Sequence, residues 1–325
     1  MELWDIYDKY RQKTGQTHKR GIPMKKGDYH LVIQVWIVND DGQLLIQRRQ
    51  QCKELWPNMW DCSVAGSVIL GENSKAAAIR ETKEELGVDL DITKVEKIFT
   101  VKFFCGFTDV WLVRQNVDIN DLKPQYDEVS DAKWATENEI LEMIQNGEFI
   151  GYQYFDVLFQ MLKSNIALRK ATASDAEELL SLQKKVFMPI YEKYEDHETS
   201  PVTQSMERFL RRFEIGEYYK IFYGNALVGS IFVYQKESGL MRLHIINILE
   251  EYHNKGIAQE TMKRLELIYP QAEAWELDTI LTEERNCYLY EKMGYVRYGE
   301  VSVVNEKLTL VNYKKLTNIN SIKSI

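Results

Sequence analysis

Between Gly66 and Val88 the chain reads GSVILGENSKAAAIRETKEELGV. If this stretch is helical, Glu81 and Glu85 fall within about 40° of each other around the axis, with Glu84 beside them. Ile79 and Leu86 then point the opposite way, into a core. Three like charges on one helix face repel one another, so a cation would stabilise the arrangement. Carboxylate oxygens suit a hard ion, Mg²⁺ or Mn²⁺. Such an ion could offset the charge of a small anionic substrate and activate a bound water. The same face reads equally as a solvated surface, with Arg80 and Lys83 as local ion-pair partners. Ser74 is the expected N-cap of this helix and Gly87 the expected left-handed C-terminal residue.

A second segment with chemical potential lies far downstream. The apolar run LHIINIL passes into EEYHNKGIAQETMKRLE, a strand, a turn and a helix. A glycine turn before a helix can bind an anion through backbone N–H groups and the helix dipole, and Lys255 adds a positive charge. A plain strand-to-helix turn with one glycine also accounts for it. Further on, NCYLYEKMGY carries Asn286 and Tyr290.

The elements that must position these residues are legible in the patterning. YHLVIQVWIVNDDGQLLIQRR, from Tyr29 to Arg49, predicts a hairpin turning at Asn39–Gly42. Short strands are expected within Asp61–Val68 and Ile98–Val113, and helices at Ser74–Leu86, at Glu137–Asn146 capped by Thr136, and at Gly151–Lys163. At Ile166 the register changes to a new strand and a helix capped near Ser174. Strands near Tyr219–Tyr223, Ala226–Tyr234, Leu243–Leu249 and Ala274–Asp278 follow, with helices near Ala258–Leu267 and Glu284–Met293. Two domains are therefore expected, 1–165 and 166–325, without a long linker.

Bulk composition narrows the function classes. A length of 325 residues suits about two domains, each able to bury a core unaided. The formal net charge of −8 argues against a nucleic-acid polymer as partner. Four scattered cysteines and five scattered histidines offer neither a disulfide framework nor a soft-metal site. No apolar run reaches the length of a membrane span and the N-terminus lacks a signal-like core, so a cytoplasmic protein is expected. Oligomeric state is open, a homodimer being one arrangement.

The spacing of Gly66, Glu72, Arg80, Glu81, Glu84, Glu85 and Gly87 resembles the box of the Nudix hydrolase family, a resemblance covering roughly Trp4 to Leu162. It implies an α/β/α sandwich with a mixed sheet, and hydrolysis of a nucleoside-diphosphate-type substrate. Glu81, Glu84, Glu85 and the Gly66 carbonyl would bind Mg²⁺ or Mn²⁺, and Glu72 would pair with Arg80. Thr82 departs from the usual aliphatic residue, and its hydroxyl can bond back to Ala78. Glu128 is a candidate for the further glutamate that many members use, and equally an ordinary loop carboxylate.

WDIYDKYRQKTGQTHKRG and WPNMWDCSVAG also look similar to the isopentenyl-diphosphate isomerase branch. That branch places a catalytic Cys before the box glycine and a His after it. Here those positions are Ala65 and Ser67, and Cys62 comes three residues too early, which argues against isomerase activity.

From about Ile166 to Leu316 the chain resembles the GNAT acetyltransferases, implying a mixed central sheet flanked by helices. By that resemblance the turn His253, Asn254, Lys255, Gly256, Ile257 and Ala258 cradles the pyrophosphate of acetyl-CoA, with His253 replacing the usual Gln or Arg. Asn286 would lie near the cofactor, and Tyr290 would protonate the departing thiolate. The aromatic and acidic segment Val186–Pro201, with Tyr191, Tyr194, Glu195 and Asp196, would suit an amine acceptor, though it reads equally as a polar loop. No base for the acceptor is evident. The expectation is a bifunctional enzyme. The alternatives are an acetyltransferase regulated by a nucleotide-sensing Nudix domain, or a second domain that binds acyl-CoA without transferring it.

Overall fold

The computed structural model describes residues 2–317. The chain divides into two compact units, the first running to Ser164 and the second beginning at Asn165. Among the described residues no helix is long and apolar enough to cross a membrane.

The first unit opens with an antiparallel hairpin, β1 (Leu3–Tyr7) and β2 (Lys13–Lys19). Then come β3 (His30–Val38), β4 (Leu44–Arg49), β5 (Trp60–Asp61), β6 (Val64–Ser67), α1 (Ser74–Leu86), β7 (Val95–Phe103), β8 (Gly106–Arg114), β9 (Val129–Ala135), α2 (Glu137–Gln145) and α3 (Phe155–Lys163). The main sheet runs β5-β4-β3-β8-β7, with β6 added on β3 and β9 on β4. β3 and β8 are parallel and the other pairs antiparallel. Alternation along β3 sorts its side chains between two layers. Leu31, Ile33, Val35 and Ile37 pack with Ala77, Ala78 and Leu86 of α1. Trp36 and Val38 pack on the other side with Ile140, Leu158 and Phe159 of α2 and α3. The result is the expected α/β/α sandwich with a mixed sheet.

The second unit comprises β10 (Ile166–Lys170), α4 (Ala176–Tyr194), α5 (Met206–Ile215), β11 (Glu217–Tyr223), β12 (Ala226–Glu237), β13 (Leu240–Ile248), α6 (Ile257–Ile268), β14 (Ala274–Ile280), α7 (Glu284–Lys292), β15 (Val296–Arg297), β16 (Ser302–Val303) and β17 (Thr309–Leu316). Its sheet runs β10-β11-β12-β13-β14-β17-β15, with β16 on β17. Leu179 and Leu180 of α4 and Phe209 of α5 pack on Tyr218, Phe232 and Ile245 of the sheet.

Three expected boundaries change. The N-cap of α1 is Asn73, whose side chain accepts from the Ala76 N–H at 3.0 Å. Ser74 instead turns its hydroxyl inward to accept from the Trp111 indole at 3.0 Å. Helix α3 begins at Phe155 rather than Gly151. Tyr152 and Tyr154 are stacked and held outside it, donating to Asp61 and Gln34. Ser174 does not cap α4. A 3₁₀ turn over Ala173–Asp175 comes first, closed by Asp175 accepting from the Thr172 N–H at 2.8 Å. Absent from the expectations were the β1–β2 hairpin, β9, α5 and the strands after α7.

The hairpin is tied to the loop after β6 and to β8. Asp5 accepts from the Gly71 N–H at 2.9 Å, and Leu70 N–H donates to the Leu3 carbonyl at 2.8 Å. Arg11, in the loop between β1 and β2, grips the fully buried Asp109 of β8 with both ends of its guanidinium, Nη1 lying 2.7 Å from Oδ1. Burial pushes the Asp109 carboxyl up, but Arg11 and Lys97 outweigh it and hold it well below the usual range. The unfolded chain therefore takes up its proton first, near pH 4. The stabilisation is complete above that pH and fades as pH falls through and below it. Asp109→Asn should cost about 3 kcal/mol at pH 7, and its deficit relative to wild type should shrink at pH 3; denaturant melts of both proteins at the two pH values measure this.

Candidate active sites in the two units

In the first unit the loop from β6 to α1 carries Glu72, and the first turns of α1 carry Arg80 and Glu81. Arg80 donates through Nε and Nη2 to the two Glu72 oxygens at 3.0 and 2.9 Å, and through Nη2 to the Ser67 carbonyl at 3.1 Å. Its Nη1 lies 2.9 Å from carboxylate oxygens of both Glu81 and Glu84. Thr82 is fully buried and bonds back to the Ala78 carbonyl at 2.6 Å. Gly87 closes the helix at φ 73°.

Gly66 is required here by close approach. A Cβ at this position would stand 2.3 Å from Glu81 Cδ, so the carboxylate lies directly against the Gly66 backbone. Glu85, one turn on, is 6% exposed. Burial pushes its carboxyl well above the ordinary range, and Glu81, Glu128 and Asp61 push the same way, with Lys53 opposing. Burial likewise raises Glu81. Glu128 contributes to this field while ion-paired to Lys53. Asp61 is a site neighbour that the sequence reading missed. It is buried in the two-residue β5, accepts from Tyr152 and from the Cys62 N–H, and lies 3.3 Å from Arg49. Nothing in its local sequence marks it.

Among the described residues no three acidic, His or Cys side chains converge closely enough to enclose an ion as they stand, because Arg80 engages Glu84 and Glu81. The donor set nevertheless fits a hard divalent cation. It offers carboxylate oxygens, a glycine cradle that any Cβ would fill, and a desolvated Glu85 whose ionised form only a nearby cation can stabilise. Cys62 is fully buried, its thiol raised by burial and by Asp61, and it directs Sγ to the Val64 carbonyl at 3.2 Å. It is placed as a packing residue.

In the second unit β13 and β14 pair in parallel only from Leu240–Arg242 to Ala274–Glu276, although both strands continue beyond. A cleft therefore opens between them on the side leading to the turn and α6. Asn254 and Gly256 have φ of 62° and 75°, the alternation that makes a concave array of N–H groups, and α6 begins at Ile257. Ala258 follows within its first turn. His253 braces the turn, with Nε2 2.8 Å from the Ile248 carbonyl and Nδ1 3.3 Å from Arg285. Lys255 holds its ammonium 4.7 Å from the Tyr252 ring centre.

Tyr290 is buried, and its phenol is pushed up by burial, Asp278 and Cys287, so it stays protonated as a donor must. Asn286 is half-buried one turn earlier on α7. His244, also missed, occupies a bulge of β13 between the pairs Phe232–Ile245 and Val233–Leu243. Its ring is crowded by Phe232 and Tyr234 yet open to solvent. Partial desolvation by those two rings, and then the charges of Arg212 and Arg242, lower its pKa to about 4, so it is neutral. Val186–Tyr194 of the aromatic and acidic segment is the end of α4 rather than a loop, and two of the segment's acids are already engaged. Glu195 pairs with Lys307 at 2.6 Å, and Asp196 accepts from Thr199. Tyr194 bonds Thr282 and Glu283, and Tyr191 bonds His197 at 2.9 Å.

Fold and box spacing together mark a Nudix-type module followed by an acetyltransferase-type module. Comparison with known proteins agrees: residues 28–155 match the NUDIX domain and residues 177–295 the acetyltransferase (GNAT) family. An uncharacterized Nudix hydrolase of Listeria monocytogenes is 45% identical over 161 residues, covering 50% of this chain and 95% of the relative. The chain belongs to the Nudix hydrolase family and carries a GNAT acetyltransferase domain after it. The isopentenyl-diphosphate isomerase of Salmonella heidelberg is 35% identical over 98 residues, 30% of this chain and 54% of the isomerase. A ribosomal L7/L12 alpha-N-protein acetyltransferase solved with coenzyme A is 13% identical, covering 49% of this chain and 97% of that one, at a TM-score of 0.41.

Gly66→Ala should displace Glu81 and weaken Mn²⁺ binding by about 10- to 100-fold with little change in melting temperature; metal titration and thermal melts of the variant check both.

Proposed function

We propose that the protein is bifunctional, coupling Mg²⁺- or Mn²⁺-dependent hydrolysis of a nucleoside-diphosphate-type substrate to acetyl-CoA-dependent N-acetylation. The observation that carries the first activity is the desolvated Glu85, set among carboxylates beside the Gly66 cradle. Glu81, Glu84, Glu85 and the Gly66 carbonyl would hold the cation. When bound, it neutralises diphosphate charge and makes water a better nucleophile. Arg80 fixes the loop through Glu72 and the Ser67 carbonyl and keeps Glu81 against Gly66. Glu85, beside the cation it would help hold, would accept the proton of the attacking water.

For the second activity, the backbone N–H groups of residues 254–258 would bind the pyrophosphate of the cofactor, with Lys255 adding charge and Asn286 nearby. His244 would take the proton of the acceptor amine as its nitrogen bonds to the acetyl carbonyl carbon. Tyr290 would give its proton to the sulfur as the C–S bond breaks. The open cleft between β13 and β14 supports this placement.

Release of phosphate products from a panel of nucleoside-diphosphate compounds with Mg²⁺ tests the first activity. Glu85→Gln should lower the rate at least about 100-fold. No turnover by wild type on any compound would instead favour a nucleotide-sensing domain attached to an acetyltransferase. Tyr290→Phe should lower acetylation by about 100-fold while coenzyme A affinity, read by calorimetry, stays at the wild-type value.

A further inference from the structure

The segment between β4 and β5 presents an anomaly that the catalytic reading does not use. Trp56 has φ 51°, a left-handed backbone that is strained for a bulky residue. It also precedes Pro57, and a residue before proline is pushed toward the extended region. Burial does not compensate. The Trp56 side chain is 55% exposed and its neighbour Leu55 70% exposed. Trp56 makes no ring or cation contact among the described residues. The strained form is held from below instead. Arg49 Nε donates to the Leu55 carbonyl at 3.2 Å, Arg48 Nε donates to the Asn58 carbonyl at 3.0 Å, and Met59 N–H reaches the Trp56 carbonyl at 3.4 Å. Two arginines thus lock a backbone whose visible effect is to project an aromatic and an aliphatic side chain into solvent. Strain of this kind, over-determined by its surroundings, is typical of ligand clamps.

The same segment is joined to the carboxylate site. Gln50 N–H donates to the Glu128 carbonyl at 3.0 Å, and Lys53 is ion-paired with the Glu128 carboxylate. Glu128 and Lys53 both lie in the field of Glu85. Trp56 follows Lys53 by three positions, at most about 11 Å of chain, within the length of a nucleoside diphosphate from its phosphates to its base. An uncovered indole at that reach offers a stacking platform for a planar ring.

We propose that Leu55 and Trp56 form the specificity lip of the hydrolase site, Trp56 stacking on the base of a nucleoside diphosphate whose phosphates lie at the carboxylates. The inference rests on the diphosphate-hydrolase reading above and adds the residue that selects the substrate. Removing the indole should weaken binding of a base-bearing ligand and leave a ligand without a base unaffected.

The test is calorimetric titration of the full chain with ADP, with inorganic pyrophosphate and with an isoprenyl diphosphate, each separately in Mg²⁺, for wild type, Trp56→Ala and Trp56→Phe. The lip predicts a loss of about tenfold or more for ADP in Trp56→Ala, most of it restored in Trp56→Phe, with pyrophosphate affinity equal in all three. An equal loss on both ligands, or no loss on ADP, overturns the lip while the hydrolase reading stands. Tighter binding of an isoprenyl diphosphate than of ADP, lost in Trp56→Ala, overturns the nucleobase assignment in favour of an apolar tail. Failure of wild type to bind either ADP or pyrophosphate overturns the hydrolase reading and the lip with it.

Discussion

The first unit depends on the Arg80 guanidinium. Its five donors lie in one rigid plane, and five acceptors on two chain segments share them: both oxygens of Glu72, the Ser67 carbonyl, and one oxygen each of Glu81 and Glu84. This binds the loop after β6 to the helix that follows it. The terminal hairpin then rests on that loop through Leu70 and Gly71. A lysine could supply the charge but not the fork, so the loop, the helix and the hairpin are all registered by one side chain. With the loop fixed, Gly66 can lie against Glu81, and Glu85 can be buried beside it without collapse of the wall around it.

Both sites arise at the same kind of junction, where a strand gives way to a helix and glycine removes a steric barrier. In the first unit the glycine admits a side chain, since Gly66 lies against Glu81. In the second it admits a backbone shape, the left-handed φ of Gly256 beside that of Asn254. The distinction matches the chemistry each would serve. A cation is held by side-chain oxygens brought close to a carbonyl, whereas an anion is held by main-chain N–H groups.

The residues that announce themselves in the sequence do so through fixed local spacing. The Gly66–Gly87 pattern, the β3–β4 hairpin and the Thr136 cap are all local, and the structure contains each of them. What escaped is set by tertiary context. Ser74 looks like a cap, but a buried indole claims its hydroxyl and Asn73 caps instead. β1 and β2 carry few buried side chains and therefore little alternation. The strands after α7 are short or polar. Asp61 and His244 matter because of what distant strands bring beside them, the one facing Glu85 across the fold, the other raised by a bulge whose register no single strand encodes. Of the acids of Val186–Pro201, conspicuous as a cluster, Glu195 and Asp196 are occupied by neighbours, and the segment up to Tyr194 is the end of α4 rather than a loop, so local charge density does not by itself mark a docking surface.

The pairing of β4 with β9, which joins Leu44 to Ala135, and the parallel pairing of β3 with β8 bear on the order of assembly. Both ladders close across long intervals of chain, and most of the loop entropy must be lost before either yields a contact. In the second unit β10 also waits for a distant partner, β11, but β11, β12 and β13 form a meander of near neighbours that can zip locally. On the ribosome the first unit cannot complete its sheet until residues beyond Ala135 have emerged, so its apolar β3 and β4 face the solvent meanwhile. The first unit therefore has the longer wait between the synthesis of its early strands and the ladders that cover them.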